Sequence, residues 1–303
     1  MIIQIYEIQT PREAEQCIEA GVNHIGSVIL REEEWRIPEI KDTITVSSGT
    51  NVKNSIIPLF GNPDNVCRTL DYYEPDFIHF CDSLTDDQGN AADIDGFIEL
   101  QSDVKKRFPE VGIIRSIPVP LKEMANEFPA LELGEKLGPF SDLFLTDTWL
   151  GKEPVEGFIG ITGKVCDSEL AKDLAAQSRI PVILAGGLSP ENVYDSIMEI
   201  QPEGVDSCTQ TNKLDEDGNP IRFKKDFSKV KRFAKEAGRA QGEISDNMRK
   251  ELLEEIEELK EQLRDREKAL PAHSVRPHQL LVIEELEEKI AEKEEELSCL
   301  TEK

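Results

Sequence analysis

The segment 184–193, LAGGLSPENV, places two adjacent glycines at the end of an apolar run and follows them with a serine–proline pair. Adjacent glycines let the backbone approach a ligand closely, and the unpaired N–H groups of such a turn attract an anion. Ser189 with Pro190 suits the start of a helix. A plain strand-to-helix turn has the same composition, so the chemistry depends on where the segment stands in a fold. Asp147 closes the run 142–147, DLFLTD, and offers a carboxyl for acid–base work, with a turn or helix cap as the structural alternative. Arg115 and Lys164 are cations near other strand ends, as suited to an ion pair or the surface as to an anionic ligand.

The elements that must position these groups alternate strictly. β-rich runs occupy 1–6, 24–30, 55–61, 76–82, 111–117, 142–147, 181–187 and 204–209. Helical patterns follow at 11–21, near 40–46, from Asn62 or Asp64, and at 94–108, 121–137, 168–178, 190–200 and 227–237. Such alternation implies a parallel sheet, and residues 1–240 suit a closed (β/α)8 TIM barrel. A doubly wound open sheet is the rival, but it would ordinarily carry G-x-G-x-x-G after the first strand, where this chain reads YEIQTPR. In a closed barrel, phosphate sites form after strands seven and eight, which is where LAGG and GVDSCT stand.

Residues 241–303 differ in kind. Leu252, Ile256, Leu259 and Leu263, then Ile283, Leu286 and Ile290, repeat at coiled-coil spacing, and the stripe resumes at Leu297. Pro271 and Pro277 must interrupt the helix between the two stripes. An acidic α-helical coiled-coil hairpin is expected, either folded back on itself or pairing with another chain. His273 and His278 read as solvated hinge residues rather than metal ligands.

A net charge of −26 argues against nucleic-acid binding, because such a surface repels phosphate backbones. An anionic substrate then needs a locally positive or dipole-lined pocket. The six cysteines form no C-x-x-C pair, which signals neither zinc nor redox chemistry and fits a reducing compartment. The opening MIIQIYEIQTPREAEQ turns charged too soon for a signal peptide, and no stretch approaches the ~20 apolar residues of a membrane span. A cytoplasmic protein without membrane attachment is expected.

Several segments together resemble the phosphoribosylanthranilate isomerase family, over residues 1 to about 237 and not in the tail. LAGGLSPENV is close to the family pattern. GITGKVCD (160–167) resembles G-G-T-G-x-x-F-D with Ile161 in place of the second glycine, and FLTDT (144–148) resembles L-L-L-D-T. GVDSCTQ (204–210) resembles G-V-D-V-S-S-G, and KKDFSKVKRF (224–233) resembles K-D-x-x-K-V-x-x-F. An insertion stands near 213–222.

The resemblance implies an aldose–ketose isomerase of tryptophan biosynthesis, performing an Amadori rearrangement of a phosphorylated aminosugar without cofactor or metal. An acid opens the furanose ring and a base removes the proton at C2 of the sugar. The family's acid falls on Asp147. Its phosphate site falls on Gly163, Gly186, Gly187, Thr209 and Gln210, and the arginine that meets the anthranilate carboxylate on or beside Arg36 in REEEWRIP. Its base is a cysteine in K-I-C-G-I, and here Tyr6 stands at the cysteine and Glu7 at the glycine. Tyrosine, with a pKa of about 10, is a poor base at neutral pH. Glu7 could serve if it faces inward, although regular strand alternation would turn it away. Cys81 and Asp82 stand at another strand end within possible reach. The alternative function is a non-catalytic or repurposed barrel that binds a phosphorylated ligand and assembles through its tail, as a homo-oligomer or with a protein partner.

Overall fold

The computed structural model describes residues 1–125, 127–270 and 277–301. Eight parallel strands close into a barrel: β1 (Ile2–Ile5), β2 (His24–Ile29), β3 (Lys53–Pro58), β4 (Phe77–Phe80), β5 (Gly112–Pro120), β6 (Leu143–Trp149), β7 (Val182–Leu184) and β8 (Gly204–Ser207). Closure rests on β1, which pairs Gln4 with His24 on one side and Gln4 with Asp206 on the other. The helices α1 (Pro11–Glu19), α2 (Pro38–Val46), α3 (Pro63–Tyr73), α4 (Asp95–Arg107), α5 (Ala130–Leu137), α6 (Ser168–Gln177) and α7 (Val193–Ile200) each link consecutive strands, and α8 (Phe227–Lys268) follows the last.

Local chemistry sets these starts. Thr10 caps α1 in a reciprocal box with Glu13, and Pro11 occupies the first turn, where a missing N–H costs nothing. Asn62 caps α3 ahead of Pro63, and the Asp167 carboxylate accepts from the Leu170 N–H at the head of α6. Between barrel and helices lies apolar packing such as Ile56, Leu70, Tyr73, Ile78 and Val104. The barrel interior instead mixes Val28, Ile114, Leu145 and Ile183 with buried polar groups, Gln4, Ser55, His79, Ser116 and Asp206. A polar interior in a water-poor space requires internal hydrogen bonds, and those bonds build the site.

The structure differs from the sequence expectations at several elements. β6 continues past Asp147 to Trp149, paired with a long β5, so Asp147 projects from within a strand on the inward alternation of Leu145 and Trp149. α5 and α7 begin later than the propensity of their segments suggested, at Ala130 and Val193. The insertion folds as an antiparallel pair, β9 (Asn212–Leu214) and β10 (Pro220–Lys225). The helix expected over 227–237 does not stop there, because Gly238 and Gly242 are insufficient to break a helix without a proline, and α8 runs on for 42 residues.

Clustering of contacts divides the chain into Met1–Ala240 and Gln241–Lys303. Within the second unit, α9 (Pro277–Thr301) pairs with the C-terminal part of α8. Leu252, Ile256, Ile283, Leu286 and Ile290 are buried there, and Lys260–Glu294 and Lys293–Glu255 ion pairs join the two helices. Pro271 and His273 lie outside the described residues; His278 falls in the first turn of α9. Among the described residues, no helix is long and apolar enough to cross a membrane.

Candidate active site

At the carboxyl ends of the barrel strands lie two adjoining cavities, a smaller and a larger, which share Asp147, Ile161, Asp206 and Cys208. The smaller is lined by Gly163, Gly186, Gly187, Thr209 and Gln210, which the sequence grouped as a phosphate site. Gly186 and Gly187 adopt φ of 95° and 64°. A Cβ at Gly187 would lie 2.5 Å from the Lys164 carbonyl carbon, and one at Gly186 would overlap the Thr148 hydroxyl. Only glycine therefore lets the loop after β7 pack against the loop before α6. The Gln210 amide donates to Gly163 O (2.8 Å), Thr148 Oγ1 to Lys164 O (2.7 Å), and Ser207 Oγ to Leu188 O (2.7 Å). Among the described residues, the Gly186 and Gly187 amides donate to no acceptor in the chain, so they remain available to an anion. Ile161, at a family glycine, still adopts the left-handed φ of 61°. A β-branched residue held there carries backbone strain that a glycine would not.

The larger cavity combines Val28, Ile57, Leu59, Leu145, Phe158 and Ile159 with Tyr6, His79, Asp147 and Asp206. Asp147 anchors a hydrogen-bonded chain across the barrel interior. Ser116 Oγ donates to Asp147 Oδ2 (2.8 Å), His79 Nε2 lies 2.8 Å from Ser116 Oγ, His79 Nδ1 lies 2.7 Å from the Tyr6 hydroxyl, and Ser55 Oγ donates to that hydroxyl (2.9 Å). With Ser116 donating to the carboxylate, its oxygen accepts from an Nε2–H. Nδ1 is then left to accept from Tyr6, so one donor direction satisfies every member. Gly26 makes the space: a Cβ there would overlap the Tyr6 ring.

Burial dominates the electrostatics. It raises the Asp147 carboxyl well above the usual range; the Ser116 hydrogen bond opposes this and the Asp206 carboxylate adds to it. Burial lifts Asp206 to about 7, opposed by the Gln4 hydrogen bond and the Lys225 charge. The Tyr6 phenol is also raised by burial, and His79 is pushed down to about 3 by burial and by Arg115, so its imidazole is neutral.

Three expectations are corrected. Glu7 does face inward, because β1 ends at Ile5 and Glu7 takes a left-handed φ of 62°, which breaks strand alternation. Yet it is spent: Arg222 Nε donates to it at 2.7 Å and the Phe223 N–H at 3.1 Å. Burial would raise its pKa, but Lys225, the Phe223 amide and Arg222 together bring it below the ordinary value. Glu7 clamps the inserted hairpin and is a poor base. Tyr6, raised by burial and engaged by two partners, is no better. Arg36 lies outside both cavities, stacked 4.6 Å from the Tyr72 ring centroid; Arg222, from the insertion, lines the apolar cavity instead.

Arg115 is buried against Asp82 (2.8 Å) and takes that carboxylate out of play, while Lys164 stays exposed and Cys81 lines the cavity with its thiol pushed up by burial. His79, Ser116, Asp206 and Arg222 are the groups that sequence reasoning passed over. The signal for the first three was their inward alternation on strands, legible only once register is known.

The chain matches no family model. It is 31% identical over 129 residues to the N-(5'-phosphoribosyl)anthranilate isomerase of Methanosarcina acetivorans, spanning 42% of this chain and about half (51%) of that relative. To isomerase 1 of Methanosarcina mazei it is 26% identical over 243 residues, 77% of this chain and 93% of the relative. A phosphoribosyl anthranilate isomerase solved with reduced 1-(o-carboxyphenylamino)-1-deoxyribulose 5-phosphate shares the barrel fold, with a TM-score of 0.54, 20% identity, and coverage of 78% of this chain and 99% of that one. Barrel closure, the glycine-built cradle and relatives matched across the barrel agree in one likeness, to the phosphoribosylanthranilate isomerases.

Proposed function

We propose that this chain isomerises phosphoribosylanthranilate, or an aminoaldose phosphate close to it, by an Amadori rearrangement. One observation carries the reading. Asp147, with its pKa raised by burial and its carboxylate aligned by Ser116, lines both the anion cradle and the apolar cavity. A sugar whose phosphate sits by Gly163, Gly186, Gly187, Thr209 and Gln210, and whose aryl group fills the apolar cavity, brings its ring to Asp147. A carboxyl that keeps its proton near neutrality can protonate the furanose oxygen as the C1–O bond breaks. Arg222, rather than Arg36, supplies the cation at the aryl end, and Tyr6 and His79 hold Ser116 in place.

A barrel that only stored a phosphate would gain nothing from a costly buried carboxyl at that junction. Cytoplasmic residence and assembly of copies through the tail complete the reading, the latter supported by Met248, Leu253, Leu280 and Leu281, which stay exposed. The test is loss of the fluorescence of the N-substituted anthranilate, phosphoribosylanthranilate, with the full chain and with Asp147→Asn. Turnover by the former and a fall of about 10²–10⁴-fold in the latter are expected. An unaltered substrate signal with the wild-type chain would refute the proposal.

A further inference from the structure

The rearrangement needs a proton acceptor as well as an acid, and the strand-one position does not supply one. The Tyr6 hydroxyl is held by Ser55 and His79, and the Glu7 carboxylate by Arg222 and Phe223. The acceptor must stand where the sugar carbons lie, between phosphate and aryl group. Four residues line both cavities there: Asp147, Ile161, Asp206 and Cys208. Ile161 has no proton chemistry. Burial pushes the Cys208 thiol far up, and its carbonyl is occupied by Lys225 Nζ at 2.7 Å.

Asp206 remains. It projects from β8, two strands away from Asp147 on β6, and is 6% exposed. Its Oδ1 accepts from Gln4 Nε2 at 3.2 Å. Among the described residues its Oδ2 accepts nothing, and it is not an enclosed unsatisfied atom, so it opens to the cavities that Asp206 lines. We propose that Asp206 is the catalytic base of this barrel, replacing in function the strand-one cysteine of the family pattern. This rests on the isomerase reading above.

The cycle balances with these two carboxyls alone. The Asp147 proton passes to the ring oxygen, the C1–O pair stays on that oxygen as the new hydroxyl, and the nitrogen lone pair forms C1=N. Asp206 Oδ2 then takes the C2 proton. The C–H pair becomes C1=C2, and the C=N pair returns to nitrogen, giving the enolamine. Return of the Asp206 proton to C1, with loss of the C2 hydroxyl proton to the Asp147 carboxylate, gives the ketone and restores both groups. Two buried carboxyls with unequal environments divide the roles: burial holds the proton on Asp147, while the Gln4 hydrogen bond and the Lys225 charge help Asp206 to lose its own. The other titratable groups near Asp206, the Tyr6 phenol and the Cys208 thiol, are both raised by burial and stay neutral in this range.

The test uses the full chain with Asp206→Asn and Tyr6→Phe. Asp206→Asn is expected to lower kcat by about a hundredfold or more. It should bind reduced 1-(o-carboxyphenylamino)-1-deoxyribulose 5-phosphate nearly as well as the wild type. Tyr6→Phe is expected to keep the acidic limb of the kcat/KM profile in place. If the Asn variant does not fold, the wild type decides: a limb at about 7 with C2-deuterated substrate showing a primary isotope effect supports Asp206. A limb near or above ~10 points to the phenol and overturns the proposal, as does an Asn variant with undiminished kcat. A wild-type chain that turns over no substrate refutes the isomerase reading itself, which is a different outcome from an active wild type indifferent to Asp206.

Discussion

Replacing Asp206 with asparagine should make the barrel more stable, and increasingly so as the pH rises. An unfolded aspartate ionises at 3.8, whereas burial holds the folded group to about 7. Between those values the native chain binds a proton that the unfolded chain has released, so this group's contribution to stability falls as pH rises through that window. At ~1.4 kcal/mol per pH unit the full cost of ionising the buried carboxyl approaches ~4 kcal/mol above pH 7. Asparagine has a similar shape and keeps an oxygen for Gln4 Nε2, but it cannot ionise. The stability difference between Asp206→Asn and wild type should therefore lie near zero below about pH 4, grow by ~1.4 kcal/mol per pH unit from there to about pH 7, and level off at a few kcal/mol by pH 8. Urea unfolding followed through Trp35 and Trp149, both within residues 1–240, measures it at each pH. Taking the difference at matched pH cancels the titration of His24, His79 and the other carboxyls, to the extent that they do not couple to Asp206. A difference that is flat with pH, or an asparagine variant less stable than wild type at pH 8, would mean that Asp206 ionises like an ordinary carboxylate, and the argument for an activated base would fall. The expected gain also explains why the chain tolerates the charge: stability is given up where a reactive group is needed.

Two further outcomes follow from the same geometry. Gly187→Ala puts a methyl 2.5 Å from the Lys164 carbonyl carbon at a φ of 64°, so steady-state kinetics should show KM for the phosphorylated substrate raised by roughly tenfold or more, with a lower melting temperature. Ser116→Ala removes the donor that favours ionised Asp147, so kcat should fall with little change in KM and the alkaline limb should move to higher pH, while Ser116→Thr should restore both.

Much of this protein was legible in one dimension. Eight β-rich runs, each followed by a helical period, implied a closed parallel barrel. The glycine pair after the seventh strand and Asp147 on the sixth stand out by place rather than by residue type, since barrel ligand and catalytic groups gather at the carboxyl ends of the strands. Helix starts at Thr10 and Asn62 also follow from residue type, since capping involves atoms only a few positions apart. What local pattern could not convey is which polar residues meet. Gln4 and Asp206 are 202 positions apart and touch only because β1 closes against β8. Ser55, Tyr6, His79, Ser116 and Asp147 form one chain only because five strands share a register. Glu7 escaped alternation through a single left-handed residue, and the insertion that occupies it reads in sequence as a polar loop. Periodicity and capping are properties of neighbours in the chain, whereas convergence at a barrel mouth depends on closure and register, which exist only when distant strands pair.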